Sequence, residues 1–339
     1  MIHVTHYLRR PGPGIYSLER LYADVRAHLP TDIQASPCVS RFLSQGLFGR
    51  LYDIGHAWLY QGEVNHVTGD VHFLTYLLNR RRTILTILDC GTLERLHGIN
   101  RWLLWLLWYW LPEKRCAAIV VISEATRQQV LRHLNCDPDK VQVIYCNVSQ
   151  EFKPVLQPFN AYKPRLLQIG TTDNKNLMRL AAALEGLECE LVIIGQLSSL
   201  QTLALQQHCV NYENWRDLSR EALLEQYQRC DMVVFASTYE GFGLPIVEAN
   251  AVGRPVVTSN LLSMPEVAGD AACLVDPFDV NSIRAGIRRV IEDADYRKHL
   301  VENGSENAKR FQIETIAAQY AALYRRIYAG LNNASKPPV

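Results

Sequence analysis

Two glutamates eight positions apart, Glu240 and Glu248, bracket a run in which Gly241 and Gly243 alternate with Phe242 and Leu244. Glycine at these two positions lets the backbone approach a ligand closely. Pro245 fits the first turn of a helix, where its missing N–H has no partner to lose, and Gly253 suits that helix's end. The run follows the apolar stretch Met232–Phe235, so the order is strand, glycine loop, helix. The amides of Phe242, Gly243 and Leu244 then sit at a helix start with the positive end of the dipole behind them, a place that suits a diphosphate. Glu240 and Glu248 add carboxylates that accept from sugar hydroxyls. A diphosphate between hydroxyl readers is a nucleotide sugar. Each glutamate also has a plainer reading: Glu248 as a helix acid favouring the dipole, Glu240 as a solvated loop acid.

A second loop of the same kind follows Leu166–Ile169, where Gly170 and Thr171 lead to Lys175 at the next helix entrance. A lysine there neutralises a leaving diphosphate or is a surface residue; Arg179, one turn on, is the lesser candidate. Near the N-terminus, Gly12 and Gly14 follow the first strand. Their spacing to Ser17 lacks the third glycine of a dinucleotide fingerprint, and no acid ends a second strand about 20 residues later, so NAD binding is set aside. Asp89 closes the strand run Ile84–Leu88, either as a reader of hydroxyls or as an ordinary strand-end carboxylate.

At Glu240 and Glu248 the sequence resembles the retaining glycosyltransferases of family 4, the group 1 glycosyltransferases of GT-B fold, through their Glu-x7-Glu signature. The likeness continues from Gly253 to Pro277 and back through Gln226 to Ser237. The resemblance implies that Glu248 binds the ribose hydroxyls and that the backbone of Gly241, Phe242, Gly243 and Leu244 holds the diphosphate. It implies that Glu240 contacts the donor sugar near the reacting carbon, that Lys175 steadies the leaving group, and that Gly14 approaches the donor phosphates. Thr171 stands where an arginine is common. Leu88 replaces the histidine of a Thr-x-His-Asp strand end, while Asp89 keeps the carboxylate that would orient an acceptor hydroxyl or the donor sugar. The activity implied is retaining transfer from a UDP- or GDP-linked sugar to a glycan or lipid-linked acceptor, without a bound metal or other cofactor. No Asp-x-Asp pair supports a metal; Asp137-Pro138-Asp139 falls on an expected turn. A GT-B epimerase and a non-catalytic nucleotide-sugar-binding subunit are the rivals.

These residues need strands and helices to hold them. Short β-branched runs alternate with helical segments through both halves, at Ile2–Thr5, Val64–Thr68, Ile84–Leu88, Ala117–Ile122 and Val141–Tyr145, then at Leu166–Ile169, Leu191–Ile194, Met232–Phe235, Val256–Thr258 and Ala272–Val275. Runs apolar throughout suit parallel strands covered on both faces. The fold class expected is α/β, two doubly wound Rossmann-like domains facing across a cleft, with 1–157 on the acceptor side and 158–312 binding the nucleotide sugar. A helix over 313–330 is expected to pack back on the first domain, and 331–339 to be a disordered tail.

Composition closes off other classes. The 339 residues carry 35 Lys+Arg against 34 Asp+Glu, a formal charge of +1, which gives no electrostatic reason to bind nucleic acid. Nine scattered cysteines without a CxxC pair argue against a disulfide framework or a zinc cluster and for a reducing cytoplasm. No run reaches the length of a membrane span, and the N-terminus lacks an apolar signal core. Residues 101–112 hold Trp102, Trp105, Trp108 and Trp110. A helix so apolar all round either sinks among neighbours or rests on the membrane surface, with Arg101, Lys114 and Arg115 at its ends.

Overall fold

The computed structural model describes residues 1–11, 17–44 and 46–334. The chain divides into two compact units, Met1–Asn147 with the C-terminal segment from Ile313, and Val148–Gln312. The division falls at Asn147, ahead of the expected 157. In the first unit the elements are β1 (Ile2–Leu8), α1 (Ser17–His28), β2 (Ile33–Val39), α2 (Leu47–Leu59), β3 (Val64–Val67) and β4 (Thr83–Ile87). They continue with α3 (Gly91–Arg95), α4 (Gly98–Leu104), α5 (Leu111–Lys114), β5 (Ala118–Val121), α6 (Glu124–Leu134) and β6 (Val141–Val143). The second unit starts with β7 (Arg165–Ile169), α7 (Leu177–Leu184), β8 (Glu190–Ile194), α8 (Ser199–Gln207), β9 (Tyr212–Trp215) and α9 (Arg220–Arg229). It ends with β10 (Met232–Phe235), α10 (Leu244–Val252), β11 (Val256–Ser259), α11 (Ser263–Ala268), β12 (Cys273–Val275), α12 (Val280–Glu292) and α13 (Ala294–Lys309). The last helix, α14 (Ile313–Ala334), belongs to the first unit.

Both units are α/β with a six-stranded parallel sheet, ordered β2-β1-β3-β4-β5-β6 and β12-β11-β10-β7-β8-β9. The second order reverses between β7 and β10, the switch point at which loops diverge and leave room for a ligand. Central strands such as β5 and β10 are buried at every position, which is why AIVV and MVVF are apolar throughout. The sequence pattern misses β2 and β9. Both are edge strands, mixed in burial, and β2 contains Pro37, which an edge accommodates because one side of the strand has no partner.

α14 buries Ile316, Ala317, Tyr320, Ala321, Leu323 and Tyr324, the face its periodicity indicates. Its docking is also polar. The Tyr324 hydroxyl lies 2.8 Å from both His6 Nε2 and His66 Nδ1, His66 Nε2 is 2.8 Å from Thr86 Oγ1, and Tyr22 joins Thr86 to Tyr320. The helix runs on to Ala334, so 331–334 are helical where a tail was expected; 335–339 lie outside the described residues.

The tryptophan-rich segment is not one regular helix. Between α4 and α5, Trp105–Trp110 form a π-turn, with the Leu111 amide on the Leu106 carbonyl. The wide turn leaves carbonyls for outside donors: Tyr76 donates to Leu107 at 2.5 Å, and His72 Nδ1 to Trp108 at 2.6 Å. Trp105, Trp108 and Trp110 pack on the core of the first unit, and Trp105 Nε1 donates to the His133 carbonyl at 2.9 Å, while Trp102 stays 51% exposed. The change of turn directs three of the four rings inward. Among the described residues no helix is long and apolar enough to cross a membrane, and all nine cysteines are free.

Candidate functional site

In the second unit the loops after β7 and β10 meet at the switch point. Gly170, at φ 86°, opens the first loop, and a Cβ there would stand 3.0 Å from Lys175 Cε, so glycine leaves the space the lysine side chain fills. Lys175 closes a single 3-10 turn before α7, and Gln168 Nε2 donates to its carbonyl at 3.0 Å. The Lys175 ammonium lies 2.6 Å from Glu240 Oε1 and 4.5 Å from the centre of the Phe235 ring. Asn174 stitches the loops together: its Nδ2 donates to the Tyr239 carbonyl at 2.8 Å and to Glu240 Oε1 at 3.2 Å, and its carbonyl accepts the Thr238 amide at 2.8 Å. Asn176, left-handed at φ 62°, donates to the carbonyls of Ala236 and Pro277.

The glycine loop is held from below. Buried Ser263, at the start of α11, lies within hydrogen-bond reach of the carbonyls of Glu240 (3.0 Å) and Phe242 (2.9 Å). Gly243 takes φ 104°, where an L side chain is strained, and α10 begins at Leu244 without a side-chain cap. The amides of Gly243 and Leu244 make no backbone hydrogen bond among the described residues, so the α10 start is open to an anion. Gly241 and Phe242 complete the loop, and Phe242 is buried edge-on against Phe311.

Glu248 sits further along α10 with a side chain only 14% exposed. Tyr227 on α9 donates to its Oε2 at 2.5 Å, and the Arg220 guanidinium stands 3.8 Å from Oε1. Burial raises the Glu248 carboxyl above its ordinary range, and Tyr227 and Arg220 oppose that rise.

Lys175, Glu240, Gly241, Phe242, Gly243, Leu244 and Glu248 thus share one end of the second sheet. Thr171 is near them but engaged: its hydroxyl donates to the Gln196 carbonyl at 2.7 Å, and its side chain fills the space beside Gly195. Arg179 is exposed and turns to Asn176 and the Phe278 ring. Asp89 belongs to the first unit, where its Oδ1 accepts the Gly91 amide at 2.7 Å at the entrance to α3. Burial raises its carboxyl too, with Gly91 pulling the other way. Gly14 lies outside the described residues. The sequence reading gives no role to Tyr227, Arg220, Ser263, Asn174 or Gln168. Asn176 had a signal, since asparagine is favoured over other non-glycine residues in the left-handed region.

A cavity of about 500 Å³ in the same unit opens instead at the other end of α10, among Val155, Phe159, Arg254 and Val301. None of the residues above lines it. Size alone therefore does not mark the site; the convergence of charge and glycine backbone does.

Such a switch point, with a cation and two carboxylates around an uncapped helix start, is an α/β site whose groups suit an anion with hydroxyls beside it. Residues 150–307 match the model of the glycosyl transferases group 1, and residues 63–152 that of glycosyltransferase family 4. The chain belongs to the group 1 glycosyltransferases and has their GT-B architecture. It is similar to O-antigen chain mannosyltransferase B of Escherichia coli, 31% identical over 61% of this chain and 60% of that protein. It is also similar to the MMP alpha-(1->4)-mannosyltransferase of Mycolicibacterium hassiacum, 28% identical over 66% of this chain and 58% of that protein. The match thus spans less than two thirds of either relative. Among solved structures, HepE of Anabaena in complex with UDP and glucose aligns with a TM-score of 0.77 at 16% identity, covering 96% of this chain and all (100%) of that one. Sucrose-phosphate synthase of Thermosynechococcus elongatus aligns at 0.75 with 19% identity, covering 97% and 100%.

Proposed function

We propose that the chain transfers a hexose from a nucleoside-diphosphate sugar to an acceptor hydroxyl, with retention and without a metal ion, in the assembly of a polysaccharide or glycolipid. The observation that carries this reading is the Lys175–Glu240 pair beside the open start of α10, with Glu248, further along α10, held by Tyr227 of α9. As the bond from the sugar to the diphosphate lengthens, negative charge grows on the departing phosphate. Lys175, with one of its three donors on Glu240, and the α10 amides stand where that charge would be stabilised. Glu240, fixed by Lys175 and Asn174, is suited to orient a donor-sugar hydroxyl. Glu248 is suited to accept from the ribose. Mannose is the first sugar to try, because both curated relatives named above are mannosyltransferases. A role for Asp89 toward a sugar hydroxyl rests on the family resemblance alone, and Asp89→Asn reads it.

The test is a binding panel of UDP- and GDP-linked sugars followed by turnover with excess EDTA. The expected result is consumption of one donor with release of its nucleoside diphosphate, and a product whose anomeric configuration by NMR equals the donor's. Binding without turnover would leave a nucleotide-sugar-binding subunit; conversion of the donor to an epimeric nucleotide sugar, with no nucleoside diphosphate released, would leave an epimerase. Activity lost in EDTA and restored by Mg²⁺ would overturn the metal-free mechanism.

A further inference from the structure

Asp89 follows β4, at the carboxyl end of the first sheet. The residues that lead into β4 and into its parallel neighbour β5 lie at the opposite end, and the last turns of α14 meet them there. An open cleft of about 460 Å³ is enclosed by these three segments, all of the first unit. Arg80 and Arg81, from the turn before β4, and Arg326 of α14 line it together with Cys116, Ala117 and Ile327. Cys116 and Ile327 are buried, so guanidinium groups rim an apolar floor.

Charge is unbalanced at this end. Residues 78–83, 114–117 and 326–331 contain no aspartate or glutamate, in a chain with 35 Lys+Arg against 34 Asp+Glu. Neighbouring cations are matched: Arg325 grips Asp32 with two hydrogen bonds at 2.7 and 2.8 Å, and Lys114 lies 2.9 Å from Glu113. Arg80, Arg81 and Arg326 have no carboxylate partner among the described residues, and Arg326 reaches the side-chain oxygen of Gln142 at 3.2 Å. Arg82 and Arg115, in the same segments, each bury an Nε that has no hydrogen-bond partner. The turn that carries Arg80 and Arg81 is fixed in advance. Asn79 Oδ1 accepts the Arg81 amide at 3.1 Å, the Asn79 carbonyl accepts the Arg82 amide at 3.1 Å and the Thr83 hydroxyl at 2.8 Å, and Gln61 Oε1 accepts the Asn79 amide at 2.9 Å. An anion arriving here has arginine side chains to order, not backbone.

Guanidinium forks match phosphate oxygens in pairs, and several of them converging without an acid make a local positive field that such groups seek. We propose that this cleft binds a small molecule bearing a diphosphate or two phosphate groups, held by Arg80, Arg81 and Arg326, with its body over Ala117 and Ile327. Size selects a small molecule over a polymer, since about 460 Å³ falls in the range of small-molecule sites while a long polyanion needs a continuous track. One of the holding residues is on α14 and two precede β4, so the ligand ties the end of the helix to the sheet on which it docks. The open start of α10 belongs to the second unit, so this is a second anion site, and it does not rest on the transfer reading.

The test is calorimetry of the full chain with inorganic pyrophosphate, with thermal melting beside it. Pyrophosphate also suits the open start of α10, so the titration is run in Lys175→Met as well as in the parent. The expected result is a binding step that persists in Lys175→Met, weakens about tenfold in Arg81→Gln and in Arg326→Gln, and weakens about a hundredfold when both are changed. Arg325→Gln, which removes a guanidinium already engaged by Asp32, should leave that step unchanged. At a hundredfold excess over Kd the Tm of the parent should rise by about 5 to 10 °C, and the rise should vanish in the double variant. Should the double variant not fold by circular dichroism, Arg80→Gln with Arg81→Gln, both exposed in the turn, serves in its place. No binding step in Lys175→Met, equal binding by the folded double variant, or an equal loss in Arg325→Gln overturns the proposal. So does an affinity that climbs steadily from pyrophosphate to long polyphosphate, since the face is then an open polyanion track. Donor turnover without pyrophosphate is read in the same arginine variants and should not move, so failure of this site stays separable from failure of the transfer reading.

Discussion

The ammonium of Lys175 and the carboxylate of Glu240 are 2.6 Å apart, and each comes from a different loop of the second sheet. The pair matches charge before any donor arrives, so its two members should fail in opposite ways. Lys175→Met removes the cation from the diphosphate and should weaken nucleoside-diphosphate binding by about 10- to 100-fold, the weight of a hydrogen bond to a charged group. Glu240→Gln removes a negative charge near that phosphate, so nucleotide affinity should hold or rise while turnover falls at least about a hundredfold. Calorimetry with UDP and GDP beside a turnover assay checks both; unchanged nucleotide affinity in Lys175→Met would sink the assignment.

Glu248 links pH to binding. Its carboxyl is raised by burial, so the folded state holds the proton more tightly than the unfolded chain. The linkage follows: this residue's contribution to stability is present below the unfolded value and is lost as pH rises through the raised folded value. Glu248→Gln should therefore be at least as stable as the parent at pH 7. Ribose hydroxyls need the carboxylate, so nucleotide affinity should fall as pH drops through the same raised value. Tyr227→Phe removes a donor that favours the carboxylate, which should move this midpoint to higher pH. Nucleotide affinity measured from pH 4.5 to 8 in the three proteins tests this. A midpoint that does not move in Tyr227→Phe, or persists in Glu248→Gln, would contradict it.

The signals that reached the sequence were local ones. β10, the glycine loop and the start of α10 are contiguous, and each speaks through residue type: apolar through a strand buried on both faces, glycine where φ is positive, proline in the first turn. Glu240 and Glu248 could be paired because a loop and a helix keep their spacing. Tyr227, Ser263 and Asn174 left no such trace, since each reaches the site from another element and only the stacking of strands brings them there. Thr171, which stands where an arginine is common in the family it resembles, donates its hydroxyl to the Gln196 carbonyl, a partner from the loop after β8 that its place in the sequence does not show. β2 and β9 were silent because edge strands need no unbroken apolar run.

The polar seat of α14 predicts sensitivity to acid. Burial lowers the pKa of His66 from 6.5 to about 3, and burial together with His66 lowers that of His6. For a folded pKa below the unfolded one, stability is intact above about pH 6.5 and is lost as pH falls toward the folded value. At pH 5 the His66 contribution amounts to about 2 kcal/mol. Parent protein should thus melt earlier at pH 5 than at pH 7, and His66→Gln should flatten that difference even though it is less stable at pH 7. Melting curves at the two pH values decide; an equal pH dependence in the variant would rule out His66 as the source.

The π-turn gives the last prediction its sign. Trp105 is half-buried, packs on the core and donates its indole N–H to the His133 carbonyl; Trp108 packs against Phe73, with ring centres 5.5 Å apart, under the Arg50 guanidinium. Replacing either by Ala removes ring contacts and, at Trp105, leaves a carbonyl without its donor. The expected cost is about 2 to 3 kcal/mol each, below the 3 to 5 of a fully buried aromatic. At roughly 2 to 4 °C per kcal/mol, Tm should drop by about 4 to 12 °C. Trp102, half exposed on α4, has no such partners among the contacts described, and Trp102→Ser should stay within about 0.5 kcal/mol of the parent. Thermal melts of the three variants separate a helix packed on the core from one whose rings face outward. If Trp105→Ala and Trp108→Ala melt with the parent while Trp102→Ser does not, the rings point the other way and the π-turn does not do what its hydrogen bonds to Tyr76 and His72 indicate.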